Sequence, residues 1–297
     1  IIPVMPTNVF NFRSWCANLI CGKILAECLI TIDYGNSIIE NVQHGSRLFI
    51  DWAEISVIKI KKSPVFEAFI TDLNDEFLAN SYRDHLIAAT RIGWTVNTQQ
   101  IVQQPKYMYF RMYVEGAGNS LYSIYRMTDA KLDEAGSYEM AGIRFAHYVK
   151  SEIDLRLYRN IDDNNTIATR LNAGWGLPLK NLSVLPFEKS FFAGGANSIR
   201  AWQARTLGPG SYRDTSSLRT FNNIGEIKLE FNLEYRFKLT QMFHGAWFTD
   251  MGNIWLQKPD PLRPGSDFNS KNWLSQVAIG TGFGIRLDFE FFLIRFD

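Results

Sequence analysis

The chain has 297 residues, a formal net charge of +1 and an aromatic content of 14%. A charge this near zero supplies no basic field for nucleic acid, and no run of eighteen or more uncharged apolar residues exists to cross a bilayer as a helix. The nearest stretch, 15–32, is interrupted by Lys23 and Glu27. A weakly polar average does not argue against a membrane protein, because in a strand-built barrel every second residue faces a polar lumen.

Residues 1–45 are expected to hold early strands and loops. The sequence begins mid-pattern with no signal peptide, which reads as a mature fragment or part of a larger protein. Cys16, Cys21 and Cys28 fit no zinc or redox spacing, and their odd number precludes complete internal pairing; they read as small apolar wall or core residues. Strand character runs through 47–60, and 63–72 suits a strand or a helix. In 82–99, Leu86, Ala88, Thr90, Ile92, Trp94 and Val96 share one parity, with Arg83, His85, Arg91, Asn97 and Gln99 on the other. The alternation predicts a strand. It continues in 107–125, where Met108, Phe110, Met112 and Val114 oppose Arg111 and Glu115. In 143–158, Ile143, Phe145, Val149, Ile153, Leu155 and Leu157 oppose Arg144, Tyr148, Lys150, Glu152, Asp154 and Arg156. A polar turn at 161–165 leads into another strand at 166–177.

The clearest strand is 225–238, GEIKLEFNLEYRFK. Its even positions, Glu226, Lys228, Glu230, Asn232, Glu234, Arg236 and Lys238, are all polar, and its odd positions from Ile227 to Phe237 are all apolar. At about 3.3 Å per residue the run extends about 46 Å, longer than the roughly 9–11 residues a tilted strand needs to span a bilayer. Two more strands are expected at 243–255 and 276–289, the second reversing near 290–291 into 292–297. Links at 161–165, 239–242 and 290–291 are short, whereas those at 127–138, 178–224 and 256–275 are long. Such alternation marks an antiparallel meander with turns on one side and loops on the other. Parallel strands would need helical crossovers instead. Trp175, Tyr235, Trp247 and Trp255, near strand ends, suit an interfacial girdle or ordinary wall positions. The expected fold is therefore all-β: a transmembrane antiparallel up-and-down β-barrel, one domain over 1–297, with a long loop entering its lumen.

That loop lies in 178–224. Phe191, Phe192, Ile199 and Trp202 are too apolar for a solvated tip, and Gly194 and Gly195 permit unusual backbone angles. The loop is expected to fold back into the lumen. Arg200 sits among these apolar residues, and an arginine buried there needs a carboxylate. Glu234 and Asp250, on the lumen side of the next two strands, are the candidates.

The stretch 186–202 resembles the sixth extracellular loop of the BamA/TamA family of outer-membrane assembly proteins. That loop carries a (V/I)-R-G-(F/Y/W) motif, matched here by Ile199, Arg200, Ala201 and Trp202. The family's (F/Y)-x-D-x-G motif on the following wall is matched by Phe248, Thr249, Asp250, Met251 and Gly252. Residues 282–297 are similar to the family's strands just before the last one. Residues 74–87 and 186–212 are most like its TamL-type branch. The resemblance covers about 64–297. It implies that Arg200 enters the lumen and pairs with Asp250 and Glu234, in a barrel of sixteen strands whose first and last meet at a weak seam. Such a seam would template or insert client strands, since an unpaired edge offers backbone donors and acceptors.

Three departures stand out. Ala201 replaces the usual glycine, the family's last strand has no counterpart before Asp297, and its periplasmic POTRA domains are not represented. The resemblance implies outer-membrane protein assembly, insertion or translocation in the bacterial outer membrane. The implied partners are the lipid bilayer, client outer-membrane proteins and periplasmic or inner-membrane assembly proteins. A two-partner-type secretion pore of the same superfamily shares the loop motif and its aspartate, and a passive porin is the other alternative. An enzyme is not expected. Glu152 and Asp154 lie two apart on a lumen-lining face, His44, His85, His147 and His244 form no metal pattern, and no Gly-x-Ser-x-Gly elbow occurs. No catalytic residue, metal or cofactor is expected.

Overall fold

The computed structural model describes residues 9–13, 24–41, 45–62, 64, 67–68, 76–99, 104–133, 136–213, 223–289 and 293–297, with the backbone alone placed at 9–13, 24–41, 61–62, 76, 78 and 293. Eleven strands form one sheet: β1 (Val9–Arg13), β2 (Ile24–Asn41), β3 (Ser46–Lys62), β4 (His85–Asn97), β5 (Lys106–Ala117), β8 (Tyr148–Asn160), β9 (Asn165–Pro178), β10 (Ile227–Lys238), β11 (Phe243–Trp255), β12 (Ala278–Asp288) and β13 (Leu293–Phe296). Each pairs antiparallel with its neighbour in chain order. The remaining two, β6 (Glu139–Met140) and β7 (Ile143–Arg144), make a separate hairpin between β5 and β8. Asn97 and Lys106, Asn160 and Asn165, and Lys238 and Phe243 end their strands at one end of the sheet. The strands joined by the longer connections end at the other, at Lys62 and His85, Ala117 and Tyr148, Pro178 and Ile227, and Trp255 and Ala278. Among the described residues no helix is long and apolar enough to cross a membrane, which says nothing of strands.

The two faces invert the pattern of a water-soluble sheet. Polar side chains are buried on one: Glu115, Lys150, Asp154, Asn172, Glu230, Glu234, Asp250 and Arg286. Large apolar side chains are exposed on the other, among them Ile92, Trp94, Val114, Leu157, Leu171, Trp247, Ile279 and Phe283, the last 78% exposed. Register places them side by side across strands, as in Leu157 of β8 next to Met108 of β5 and Trp247 of β11 next to Phe283 of β12. A continuous apolar surface of this extent needs a nonpolar surrounding or a partner.

Residues 179–213 of the loop between β9 and β10 cover the polar face and explain its burial. They reach β3 and β5 through Lys189 and the chain end through Arg200, so the sheet curves around them. Two apolar clusters seat them. Leu182 and Leu185 join Ile58, Ile87, Ala117 and Tyr148. Phe191, Ala193, Ile199 and Leu207 join Ile254, with Trp202 and Ala278 alongside.

Several expected boundaries shift. The strand expected over 107–125 stops at Ala117. Gly118, left-handed at φ 68, turns the chain into the helix Asn119–Met127, whose Tyr122 and Tyr125 pack beside Phe145 and Tyr138. The strand expected from 143 begins at Tyr148. Residues before it form the β6–β7 hairpin, and the Leu86 and Phe145 bridge tucks Phe145 into that cluster. A 3-10 turn, Trp273–Gln276, precedes β12. Trp255 is fully buried. The 256–277 loop folds over it, with Phe268 edge-on at 5.6 Å and its Nε1 donating to Gln276 Oε1 at 2.7 Å. Trp175 and Trp247 are exposed on the outer face. Cys16, Cys21, most of 63–72 and the turn at 290–291 lie outside the described residues.

Candidate functional site

The site is built where the tip of loop 179–226 meets β10, β11 and the chain end. The tip is a compact turn. Gly195 N–H donates to Trp202 O at 2.8 Å and Trp202 N–H to Ile199 O at 3.1 Å. Gly194 has φ 96, and a Cβ there would sit 2.3 Å from Gln203 O, so only glycine fits. The Gly194 N–H donates to Ser198 Oγ at 3.0 Å, and Ser198 in turn donates to the buried Glu230 of β10. Ile199 is fully buried among Phe191, Ala193, Leu207 and Ile254. This anchors the residue before Arg200 and fixes the direction in which its side chain leaves the backbone.

Arg200 is 8% exposed and makes a two-pronged contact with Asp250 of β11: Nε to Oδ2 and Nη2 to Oδ1, both at 2.8 Å. Its backbone N–H donates to the same Oδ2 at 3.1 Å. Nη1 donates to Glu234 of β10 at 2.9 Å and to Asp297 at 3.2 Å. The guanidinium lies over the Phe248 ring, 3.5 Å from its centroid. A planar fork meeting a carboxylate, with an aromatic face beneath, uses arginine's geometry in a way lysine does not reproduce. The carboxylates are oriented in turn: Asn232 Nδ2 donates to Asp250 Oδ1 and to Ser198 O, each at 2.8 Å, and Arg236 and Arg286 both donate to Glu234 Oε1.

The other sequence-selected positions sit in the same place. Gly252 lies against β10, where a Cβ would be 2.3 Å from Leu229 O. Ala201 faces β12: a Cβ added at Gly280 would be 2.6 Å from Ala201 Cβ and 3.4 Å from the Trp202 ring. The methyl group that replaces the resembled motif's glycine is therefore accommodated by a glycine on the opposing wall.

A second attachment escaped sequence reasoning. Lys189 Nζ lies 3.0 Å from Glu54 of β3 and 2.8 Å from Glu115 of β5. Glu115 also accepts from Arg91 and from Tyr148 Oη, the latter at 2.6 Å, and Lys150 Nζ donates to Lys189 O at 2.8 Å. Lys189 is a lone cation among Phe187, Phe191 and Phe192, the same signal that singled out Arg200. Its partners lie 135 and 74 residues upstream, beyond any local pattern. Glu152 and Asp154 do not meet as an acid pair: Glu152 binds Tyr113 and Asn172, and Asp154 binds Arg156 and Arg170. Among the described residues no cluster of histidine, cysteine and acidic side chains could hold a metal.

Near the loop's return into β10, Glu226 is buried. Burial pushes its carboxyl up to about 7, while Gln257 N–H donates to it at 3.1 Å.

An antiparallel wall with an apolar outer face, a polar inner face and a long loop pinned inside by an arginine defines a class of membrane-type barrel wall. The Omp85 superfamily domain matches residues 136–297, more than half of the sequence, and the chain belongs to that superfamily. Its fold is similar to BamA from Haemophilus ducreyi lacking POTRA domains 1-3, with a TM-score of 0.58 at 13% identity over 98% of this chain and 53% of that one. It is also similar to CdiB from Escherichia coli, with a TM-score of 0.53 at 11% identity over 89% of this chain and 39% of that one. The chain thus spans about half the length of the first structure and less of the second.

Proposed function

We propose that this chain is barrel wall of a bacterial outer-membrane protein assembly or insertion factor, with residues 179–213 as its lumen-seated element. The observation that carries the reading is the Arg200 clamp, which ties a buried loop tip to Asp250, Glu234 and Asp297 at once. Superfamily membership and the BamA-like fold support it. The exposed apolar side chains of β4, β5, β8, β9, β11 and β12 face the bilayer, and the buried polar face lines the lumen. The wall is part of a sixteen-stranded barrel with a lateral seam, where strand edges pair with client outer-membrane proteins. Periplasmic or inner-membrane proteins hand clients to it. The TamL-type branch is its place within the superfamily, and it works by strand pairing and positioning without catalytic groups, metal or cofactor.

The fold shared with CdiB supports a second reading, a secretion pore passing one exported substrate. Depletion separates the two. An assembly factor lowers the level of many other barrels in the outer membrane. Loss of one exported substrate, with the barrels at normal levels, would decide for the pore and against assembly.

A further inference from the structure

We propose that the arginine-lined cavity beneath the loop tip binds a carboxylate-bearing peptide segment. The proposal rests on the assembly reading for its source of peptide, and on the following geometry for its chemistry. The cavity is about 380 Å³ and is lined by Arg156, Arg170, Arg200, Arg236 and Arg295, with Glu234 its one acidic lining residue among the described ones. That volume lies in the range of small-ligand pockets and suits a few side chains of an extended chain.

The arginines are held from behind. Arg156 donates Nε and Nη2 to Asp154 at 3.0 and 2.8 Å, and Arg170 donates to the same carboxylate at 3.2 and 3.1 Å. Arg170 Nη1 also donates to Asn197 O at 2.7 Å, and Arg295 Nη2 to Ala196 O at 2.6 Å, so two guanidinium groups bind the loop backbone itself. Arg236 spends only Nε, on Glu234 at 2.6 Å. Both Nη groups of Arg236 and Nη1 of Arg156 have no protein hydrogen-bond partner among the described residues, and these two side chains are 35% and 39% exposed. Aromatic faces hold them in place: Tyr158 lies under Arg236 at 5.7 Å and Tyr109 under Arg156 at 5.2 Å. Fixed, partly unspent guanidinium forks around a cavity are the chemistry that takes up carboxylates.

Position selects a peptide over a lipid headgroup. The cavity lies on the buried polar face, on the opposite side of the sheet from Leu157, Leu171 and Trp247, so an anionic lipid at the outer surface does not reach it. Arg236 and Tyr158 are each two residues from the end of their strands, next to the short links 161–164 and 239–242. A chain arriving from that end meets the arginines before it meets the loop.

The test uses the full chain purified in detergent micelles and a fluorescein-labelled glutamate-rich decapeptide, read by anisotropy, with a lysine-rich decapeptide and inorganic phosphate as controls. The acidic peptide is expected to saturate and the lysine peptide not to bind. The double variant Arg156→Gln with Arg236→Gln is expected to weaken binding by about tenfold or more. Ala196→Glu, which adds a carboxylate at the cavity rim on an exposed loop position, is expected to weaken it similarly and does not depend on the arginine variants folding. No saturable binding of the acidic peptide, or equal binding by the parent chain and both variants, overturns the proposal. So does phosphate that displaces the peptide at the peptide's own dissociation constant, since the site is then a simple anion pocket. If depletion leaves other barrels intact while the peptide still binds, the assembly reading fails and the pocket stands. If barrels are lost on depletion but the peptide does not bind, the pocket fails and the assembly reading stands.

Discussion

Replacing Arg200 with alanine removes four side-chain hydrogen bonds to three carboxylates and the stack on Phe248. Asp250 is the partner left worst off. Its side chain is 0% exposed, and among the described residues only Asn232 and the residue 200 backbone N–H remain to stabilise it. Breaking one side of a buried ion pair costs about 3–5 kcal/mol, because the remaining charge is buried without compensation. That cost falls on docking of the loop tip, since the strands retain their ladders. It corresponds to a rise of roughly a few hundred- to a few thousand-fold in the undocked population. Hydrogen exchange reads it directly. The amides of Gly194, Gly195 and Trp202, bonded within the tip, should lose protection by that factor while β9 and β10 amides keep theirs. The double variant Arg200→Ala with Asp250→Ala should recover part of the loss, since it removes the stranded charge together with its partner. Unchanged protection of 194–202 in the single variant would refute the claim that this arginine holds the loop.

Other substitutions probe separate contacts of the loop. Lys189→Gln should release the segment near Leu182 and Leu185 by roughly 3 kcal/mol, seen as exchange or protease cleavage there, with the Arg200 end still protected; loss at both ends together would show one cooperative unit in place of two attachments. Gly280→Val should displace the tip, because even a Cβ at that position falls 2.6 Å from Ala201 Cβ, whereas Ala201→Gly should leave loop protection close to that of the parent chain. The carboxyl of Glu226 is raised to about 7 from an ordinary value of 4.5 by burial. The folded chain therefore holds that proton more tightly than the unfolded chain, and the associated stability is fully present below pH 4.5. It is lost as the pH rises to about 7, and reaches about 3 kcal/mol at full loss. Glu226→Gln should flatten this slope in thermal denaturation between pH 4.5 and 8, and an unaltered slope would place its origin elsewhere.

Much of this was legible in the sequence because strand parity is strict. In β10 the alternation by itself separates Glu230 and Glu234 from Leu229 and Leu233, and the structure buries the first pair on the loop-facing side. Arg200 was legible for a related reason: a cation among Phe191, Ile199 and Trp202 has to find an acid, and parity leaves few candidates nearby. Parity failed where something covers or interrupts a strand. Nothing local to Trp255 records that Phe268 and Gln276 fold over it. The alternation up to Val114 conceals that Gly118 begins a helix, because the tyrosines that follow pack toward Phe145 at helical spacing. Lys189 with Glu54, and Arg200 with Asp297, are pairings between distant segments that exist only once the sheet has curved around the loop. Ala201 was legible as a departure from the resembled motif, but its accommodation by Gly280 appears only in the packing.

If the chain acts in outer-membrane assembly through the loop tip that Arg200 holds, the abundance of other outer-membrane barrels depends on that arginine. It is measured in cells depleted of this protein and complemented with either the parent chain or Arg200→Ala at equal expression. Many barrels should fall on depletion, the parent chain should restore them, and Arg200→Ala should not. Barrel levels that never fall on depletion, or that Arg200→Ala restores in full, would contradict this reading.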